Sequence, residues 1–331
     1  MHMADALLSP AVGLTMCAVS ASACVYATKK IKAENELEEQ QIPLMGVGGA
    51  LVFAAQMINF TIPLTGSSGH IGGGILLAVL LGPYPSFLTI VAVLVIQALF
   101  FADGGLLALG CNIFNMGVIP CLLIYPLLFA PIIKKGVNKH RLTTAAILSV
   151  VVSLQLGAFS VVMETLLSGV TALPFGTFIT LMQPIHLAIG IVEGLITAAI
   201  LVFVYQMRPE MLDIKLKGKN CGLSLKKVVA ILAVITVMAG GALSLYASQN
   251  PDGLEWAIMG VTGSEQLIAN DTVHKVSARI QQITAFLPDY SFKSQNGGTS
   301  ISGIIGAAIT CALAGGTALI IKHKRQRKNQ S

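Results

Sequence analysis

The chain has 331 residues, 54% of them apolar and only 11% charged, with a net charge of +6 and a mean hydropathy of +0.78. Soluble domains carry about 25% charged residues, so the composition excludes a soluble enzyme and implies an integral membrane protein. The six cysteines form no CxxC pair, which argues against a thiolate metal site. Cys17, Cys24, Cys111, Cys121 and Cys311 fall in apolar stretches and Cys221 in a basic loop, so no disulfide framework is expected.

The first residues, Met1-His2-Met3-Ala4-Asp5, put a histidine one residue from an α-amine. That amine, the backbone nitrogen of His2 and one imidazole nitrogen can close a five-membered and a six-membered chelate ring on one ion. Three nitrogens in a plane favour Ni(II) or Cu(II) over tetrahedral Zn(II). Apolar segments suited to a hydrocarbon core of about 30 Å follow at roughly 7–28, 42–62, 71–82, 86–101, 106–133, 142–167, 179–205, 228–247 and 300–321. The third is short and Gly-rich and is expected to be a broken or partly buried helix. Ala21-Ser22-Ala23 looks like a cleavage site, but the first ten residues hold no Lys or Arg. A signal peptide starts with a positive region, so the first segment is expected to stay, with its amine outside.

Between the second and third segments lies Thr65-Gly66-Ser67-Ser68-Gly69-His70-Ile71-Gly72-Gly73-Gly74. Glycines at this density let the backbone approach a ligand closely, and His70 could donate a fourth nitrogen. The stretch Phe101-Ala102-Asp103-Gly104-Gly105-Leu106 through Asn112-Ile113-Phe114-Asn115-Met116-Gly117 returns to the same face. Asp103 there suits either orientation of a liganding histidine or a helix cap. Asn112 and Asn115, three apart on one helix face, suit hydrogen bonds across the bundle. Farther on, Glu164, His186 and Glu193 are ionisable residues inside apolar spans, and such residues are functional candidates. A hydrogen-bonded structural role or one in orienting the ligands, as for Asp103, Asn112 and Asn115, stands beside a proton relay.

Residues 1–207 are expected to form a compact bundle, 208–227 a basic cytoplasmic linker, and 228–331 a module of two helices around an outer loop. That loop has no good ligand cluster: His274, beside Lys275, is expected to be solvated. Of the 21 Lys and Arg, 18 fall in segments that share one side if the N-terminus is outside. The positive-inside rule then orients the chain, and the charge carries no nucleic-acid signal. The first helix offers Ala18 with Ser22 and Ala23 with Ala27 as small-xxx-small pairs for a docking partner.

Taken together, Met1-His2-Met3-Ala4-Asp5 with Leu8-Ser9-Pro10, Ser68-Gly69-His70 before Gly72-Gly73-Gly74, Asp103 to Gly117, and His186 to Thr197 resemble the CbiM/NikM family. These are the substrate-capture components of energy-coupling factor importers for cobalt and nickel. Pro251-Asp252-Gly253-Leu254-Glu255 is similar to the signature of the small accessory component, here fused. Met3-Ala4 departs from the Ile-Pro more usual in the family. The resemblance implies an all-α membrane bundle of about seven helices, plus the two-helix module. It also implies Met1, His2 and His70 as metal ligands, and as partners a transmembrane coupling protein and cytoplasmic ATPases. The chain has no G-x-x-x-x-G-K-[ST] loop, so ATP hydrolysis would belong to other chains and the chain itself is expected not to be an enzyme. Nickel is expected over cobalt as the transported ion, because it binds such sites more tightly. The alternative is a proton-coupled carrier using Glu164, His186 and Glu193. A membrane metalloenzyme fits least, since catalysis needs an open metal position.

Overall fold

The computed structural model describes residues 2–33, 41–171, 173–212, 222–265, 267–269, 271–290 and 298–328. Met1, Cys221 and half of the basic linker lie outside them. The described chain is helical apart from one small hairpin, and seven of its helices are long and apolar enough to span a membrane. After a short turn, α1 (Pro10–Ala33) and α2 (Gln41–Gln56) are followed by β1 (Phe60–Ile62) and β2 (Ser67–Gly69), which pair antiparallel with Thr61 opposite Ser68. The apolar run from 42 to 62 is therefore only partly helical: α2, about 24 Å long, stops short and an extended strand finishes it.

The short third segment is α3 (Gly74–Leu81), only eight residues long. Gly82, at φ 84°, turns the chain, and Pro83 opens α4 (Pro83–Ile96), where its missing N–H costs nothing. A π-wound turn, Gln97–Phe101, completes that span. The next rod runs from Leu109 to Lys134 as α5 (Leu109–Ile113), a π-wound stretch Phe114–Phe129 and α6 (Ala130–Lys134). Pro120 and Pro126 lie inside it and remove amide donors that α-helical bonding would need, which favours the wider winding.

Two long helices, α7 (Lys139–Ser168) and α8 (Phe175–Met207), pair along their length. Phe53, Phe87, Phe101 and Phe178 are fully buried among these elements. The remaining spans, α9 (Leu225–Gly241) and α12 (Gly298–Lys328), flank α2. On α1, Ala18 and Ser22 face outward whereas Ala27 is buried, so only the first small-residue pair is open to a partner.

Between α9 and α12, the helices α10 (Gly253–Thr262) and α11 (Thr272–Thr284) lie over the end of the bundle that holds His2 and His70. This is where His274 departs from expectation, since it is buried rather than solvated. Its Nδ1 is 2.6 Å from Asp271 Oδ2, and its Nε2 is 2.8 Å from the carbonyl of Asp5 and 3.1 Å from that of Leu8. Both ring nitrogens face acceptors, an arrangement that only the protonated ring satisfies on both sides.

Burial pushes the His274 ring down, but the Asp5 carbonyl and the Asp271 carboxylate outweigh it and the net shift is upward. A raised value favours the charged ring in the folded chain. The clasp is thus fully in force below about pH 6.5 and fades as pH rises through the raised value. Asp5 and Asp271 face this ring, Ser277 donates to Asp5, and Lys275 is the neighbouring cation. Hydrogen exchange corrected for intrinsic rates should show residues 2–8 opening more readily at pH 9 than at pH 6, on the order of tenfold. His274→Ala should open them at both values; protection independent of pH in the native chain would count against the clasp.

Candidate metal centre

Three pieces of chain meet at this end of the bundle. The first is the N-terminal segment. Leu7 and Leu8 are buried in a cluster with Ala158, Val161 and Phe178, which draws the preceding residues between the helices. Backbone inside a membrane protein must find partners, and Asn112 supplies them. Its Oδ1 accepts from Met3 N at 2.8 Å and its Nδ2 donates to Met3 O at 3.2 Å. Gly105 N donates to the same carbonyl at 2.9 Å, and Asp5 Oδ1 accepts from Ala108 N at 3.0 Å. A Cβ on Gly105 would lie 1.7 Å from Asp5 Oδ1, so no larger residue fits.

The second piece carries His70. Ahead of it, Ser68 N donates to the Pro251 carbonyl at 2.8 Å and Ser68 Oγ to that of Asn250 at 2.8 Å. Behind it, Gln56 Nε2 donates to Gly72 O at 2.9 Å and Gly73 N donates to Glu193 Oε1 at 3.1 Å. Gln97 Nε2 in turn donates to Gln56 Oε1 at 2.7 Å. Sequence reading passed over both glutamines, although a glutamine in an apolar span is a signal of the same kind as a buried glutamate.

The third piece is the turn after α4, where Ala102 has a left-handed φ of 54°, a strained state for a residue with a Cβ, costing on the order of 1 kcal/mol. It sets Asp103 3.2 Å from His2 Nδ1 through Oδ1, while Tyr290 donates to Asp103 Oδ2 at 2.5 Å. Asp103 therefore contacts a histidine rather than capping a helix.

The outcome is a stacked pair of imidazoles. The rings of His2 and His70 are 5.2 Å apart and within 15° of parallel; an imidazole binds metal through a lone pair in its own plane, so both reach one ion only after a ring turns. Burial pushes each ring down to about 3, so both are neutral and ready to bind metal at pH 7. His2 Nε2 is buried with no hydrogen-bond partner, and His70 Nδ1 is 3.3 Å from Ile71 O. A chelate closed through the His2 backbone nitrogen would use Nδ1, the nitrogen now against Asp103. Chelation would therefore exchange the Asp103 contact for a metal bond. Among the described residues no three His, Cys, Asp or Glu side chains converge on one point.

The other ionisable candidates lie deeper. Asn115 Nδ2 donates to Glu164 Oε2 at 2.9 Å and approaches Met3 Sδ at 3.8 Å, which is the bond across the bundle that its spacing suggested. His186 and Glu193 line a cavity that also reaches His70 and Asn115.

The segment Pro251-Asp252-Gly253-Leu254-Glu255 closes this end. Asp252 Oδ1 accepts from Leu254 N at 2.8 Å and Glu255 N at 2.9 Å, and Glu255 Oε2 accepts from Asp252 N at 3.0 Å. This capping box starts α10. A Cβ on Gly253 would lie 2.8 Å from Ile189 and 3.1 Å from the His186 ring, so glycine lets the cap sit flush on α8. Trp256 Nε1 donates to Thr65 O at 2.9 Å, and Gln281 Nε2 donates to Gly104 O at 2.8 Å.

Residues 2–211 match the family described as "Cobalt uptake substrate-specific transmembrane region". The chain belongs to this CbiM family. Residues 226–323 match the PDGLE domain. A chain of Archaeoglobus fulgidus, provisionally named a fused nickel transport protein NikMN, is 30% identical over 317 residues, 95% of this chain and 96% of that one. The cobalt transport protein CbiM of Sorangium cellulosum is 31% identical, covering 64% of this chain and 95% of its own. A crystal structure titled as a transition metal transporter superposes with a TM-score of 0.56 at 29% identity, covering 67% of this chain and all of that one. The CbiM-family chain is thus a multi-pass membrane component of nickel or cobalt transport, with a NikN-like module fused behind it.

Gly105→Ala should force Asp5 and Met3 out of their groove. Overpacking of about 1–3 kcal/mol should raise exchange of residues 2–8 by roughly ten-fold or more with helical content unchanged. Gly176→Ala, where a Cβ meets nothing within 4 Å, is the control. Equal protection in both variants would mean the groove does not hold the segment.

Proposed function

We propose that this CbiM-family chain is the substrate-capture component of an ATP-driven importer and takes Ni2+, the alternative being Co2+, from outside the cell. The ligands are the amine of Met1, the backbone nitrogen and Nδ1 of His2, and a ring nitrogen of His70. The observation that carries this reading is the stacked, part-buried and neutral His2–His70 pair at the end of an inserted N-terminal segment. Four nitrogens with two adjacent chelate rings suit a planar d⁸ ion, and nickel outranks cobalt in affinity for such sets. The charge distribution supports an N-terminus outside and a C-terminus in the cytoplasm of a plasma-membrane protein. ATP hydrolysis is assigned to partner ATPases joined through a transmembrane coupling protein. Residues 1–207 form the capture domain, and 228–331 the accessory module that holds the surrounding loops.

Adding one residue before Met1 should abolish high-affinity Ni2+ binding measured by calorimetry on the purified chain, and His2→Ala should be as severe. Asp103→Asn should change affinity by about 10 to 100-fold. Tight binding by an N-terminally extended chain would overturn the chelate. Uptake should stop when ATP is depleted and survive a protonophore; the reverse pattern would favour a proton-coupled carrier built on Glu164, His186 and Glu193.

The pH dependence has a definite sign. With both imidazoles held neutral down to about pH 3, they compete with no protons between pH 5 and 8. The α-amine, which titrates near 7.7 to 8.0, and the displaced amide proton then set the slope. Affinity should fall steadily as pH drops from 8 to 5, with about two protons released per ion near neutrality. A flat profile would leave the amine and amide out of the site.

A further inference from the structure

Beside His70 lies a cavity of about 40 Å³, counted as space open to the centres of water molecules. That is room for roughly three waters. Its wall includes His70, Ser153, His186, Glu193, Asp252 and Gly253, and His2 takes no part in it.

Two of these side chains present unused lone pairs. His186 is 1% exposed, and its Nδ1 lies 2.8 Å from the Met182 carbonyl. A carbonyl only accepts, so Nδ1 carries the hydrogen and Nε2 is left with its lone pair, the arrangement found in metal-bound histidines. That Nε2 is buried without a hydrogen-bond partner. Glu193 is 3% exposed; one of its oxygens accepts from Gly73 N at 3.1 Å, while Oε2 is buried without a partner. Ser153 Oγ is also buried and unpartnered. Leaving such groups unmatched inside a membrane protein is costly, and a hydrated cation answers them, one by a direct bond and the others through its bound waters.

We infer that this cavity is a second divalent-cation site, separate from the capture pair, with His186 Nε2 and the Glu193 carboxylate as its protein donors. The two residues are seven apart, about 10 Å along the axis of α8. An ion bonds one of them directly and reaches the other through a bound water, and Ser153 takes a water of the same shell. Two donors without a chelate ring make this site weaker than the capture pair. That ranking suits a station from which an ion moves on. His70 lines the cavity and also stacks on His2, so it stands between the two positions and could pass an ion from one to the other. The identity of the ion rests on the capture reading; the existence of the second position does not.

The test is a binding count on the full-length chain with its native N-terminus in detergent, using Ni2+ in equilibrium dialysis with the bound metal measured by mass spectrometry. The exposed His140 and His323 are replaced by Ala throughout to remove surface binding. The parent chain should bind two ions, one tightly and one weakly. Glu193→Gln keeps an oxygen for Gly73 N, and His186→Gln keeps a donor for Met182. Each should lower the count to one while leaving the tight event in place, and His2→Ala should remove the tight event and spare the weak one. Saturation of the parent at one ion, or two ions retained by both α8 variants, would overturn the second site. Loss of both events in His2→Ala would overturn it as well, since the cavity would then have no affinity of its own. A tight event that survives His2→Ala would count against the capture reading alone, because the two α8 variants still report on the cavity independently.

Discussion

The structure turns on a rule of the membrane interior: a backbone that enters it must have every N–H and C=O paired. Residues 2–4 belong to no helix or strand, so they can lie among helices only if side chains take the part of a neighbouring strand. Asn112 does this for Met3, one amide serving both the N–H and the carbonyl. Leu7 and Leu8 provide the apolar pull and Asp5 a second anchor at Ala108. The position of His2 follows from these contacts together with those of its own ring, to Asp103 and His70. The left-handed Ala102 is a cost accepted to aim Asp103 at that ring.

The PDGLE segment reads differently once seen in place. Its acidic residues start their own helix, Asp252 and Glu255 satisfying the first amides of α10 reciprocally, while Asp252 also lines the cavity beside His70. Between them, glycine permits contact with Ile189 and His186, and leucine is buried. The carbonyl of Pro251 meets the amide of Ser68 two residues before His70. The motif is therefore a helix start shaped to press against α8 and to extend the small sheet that presents His70.

Much of this was legible in the sequence because it depended on local chemistry. The glycines around His70 and the return of Asp103 to the same face are features of short segments, and the fold brings His2, His70 and Asp103 together. The apolar runs gave the spans, though where α2 yields to β1 depended on strand partners that hydropathy does not reveal. What was not legible depends on distant pairing. His274 follows Asp271 at the start of a polar helix and looks like any surface residue; its other partners, Asp5 and Leu8, are more than 260 residues away. Tyr290 on Asp103 and Gln97 on Gln56 are likewise contacts between elements, and single-sequence periodicity carries no information about them.

The covalent join between the two modules has a further consequence. The outer segment is folded over the site by hydrogen bonds at Ser68, Thr65, Asp5, Asp103 and Gly104 and by Leu254, Ala257 and Ile258, which are buried in one cluster with Leu7, Leu8 and Phe178. Between separate proteins such a surface would be filled only in proportion to the partner's concentration. Joined through residues 208–227, the two surfaces meet at an effective concentration on the order of millimolar. Fusion thus assigns one cover to each set of capture helices, whatever amount of the protein the membrane holds.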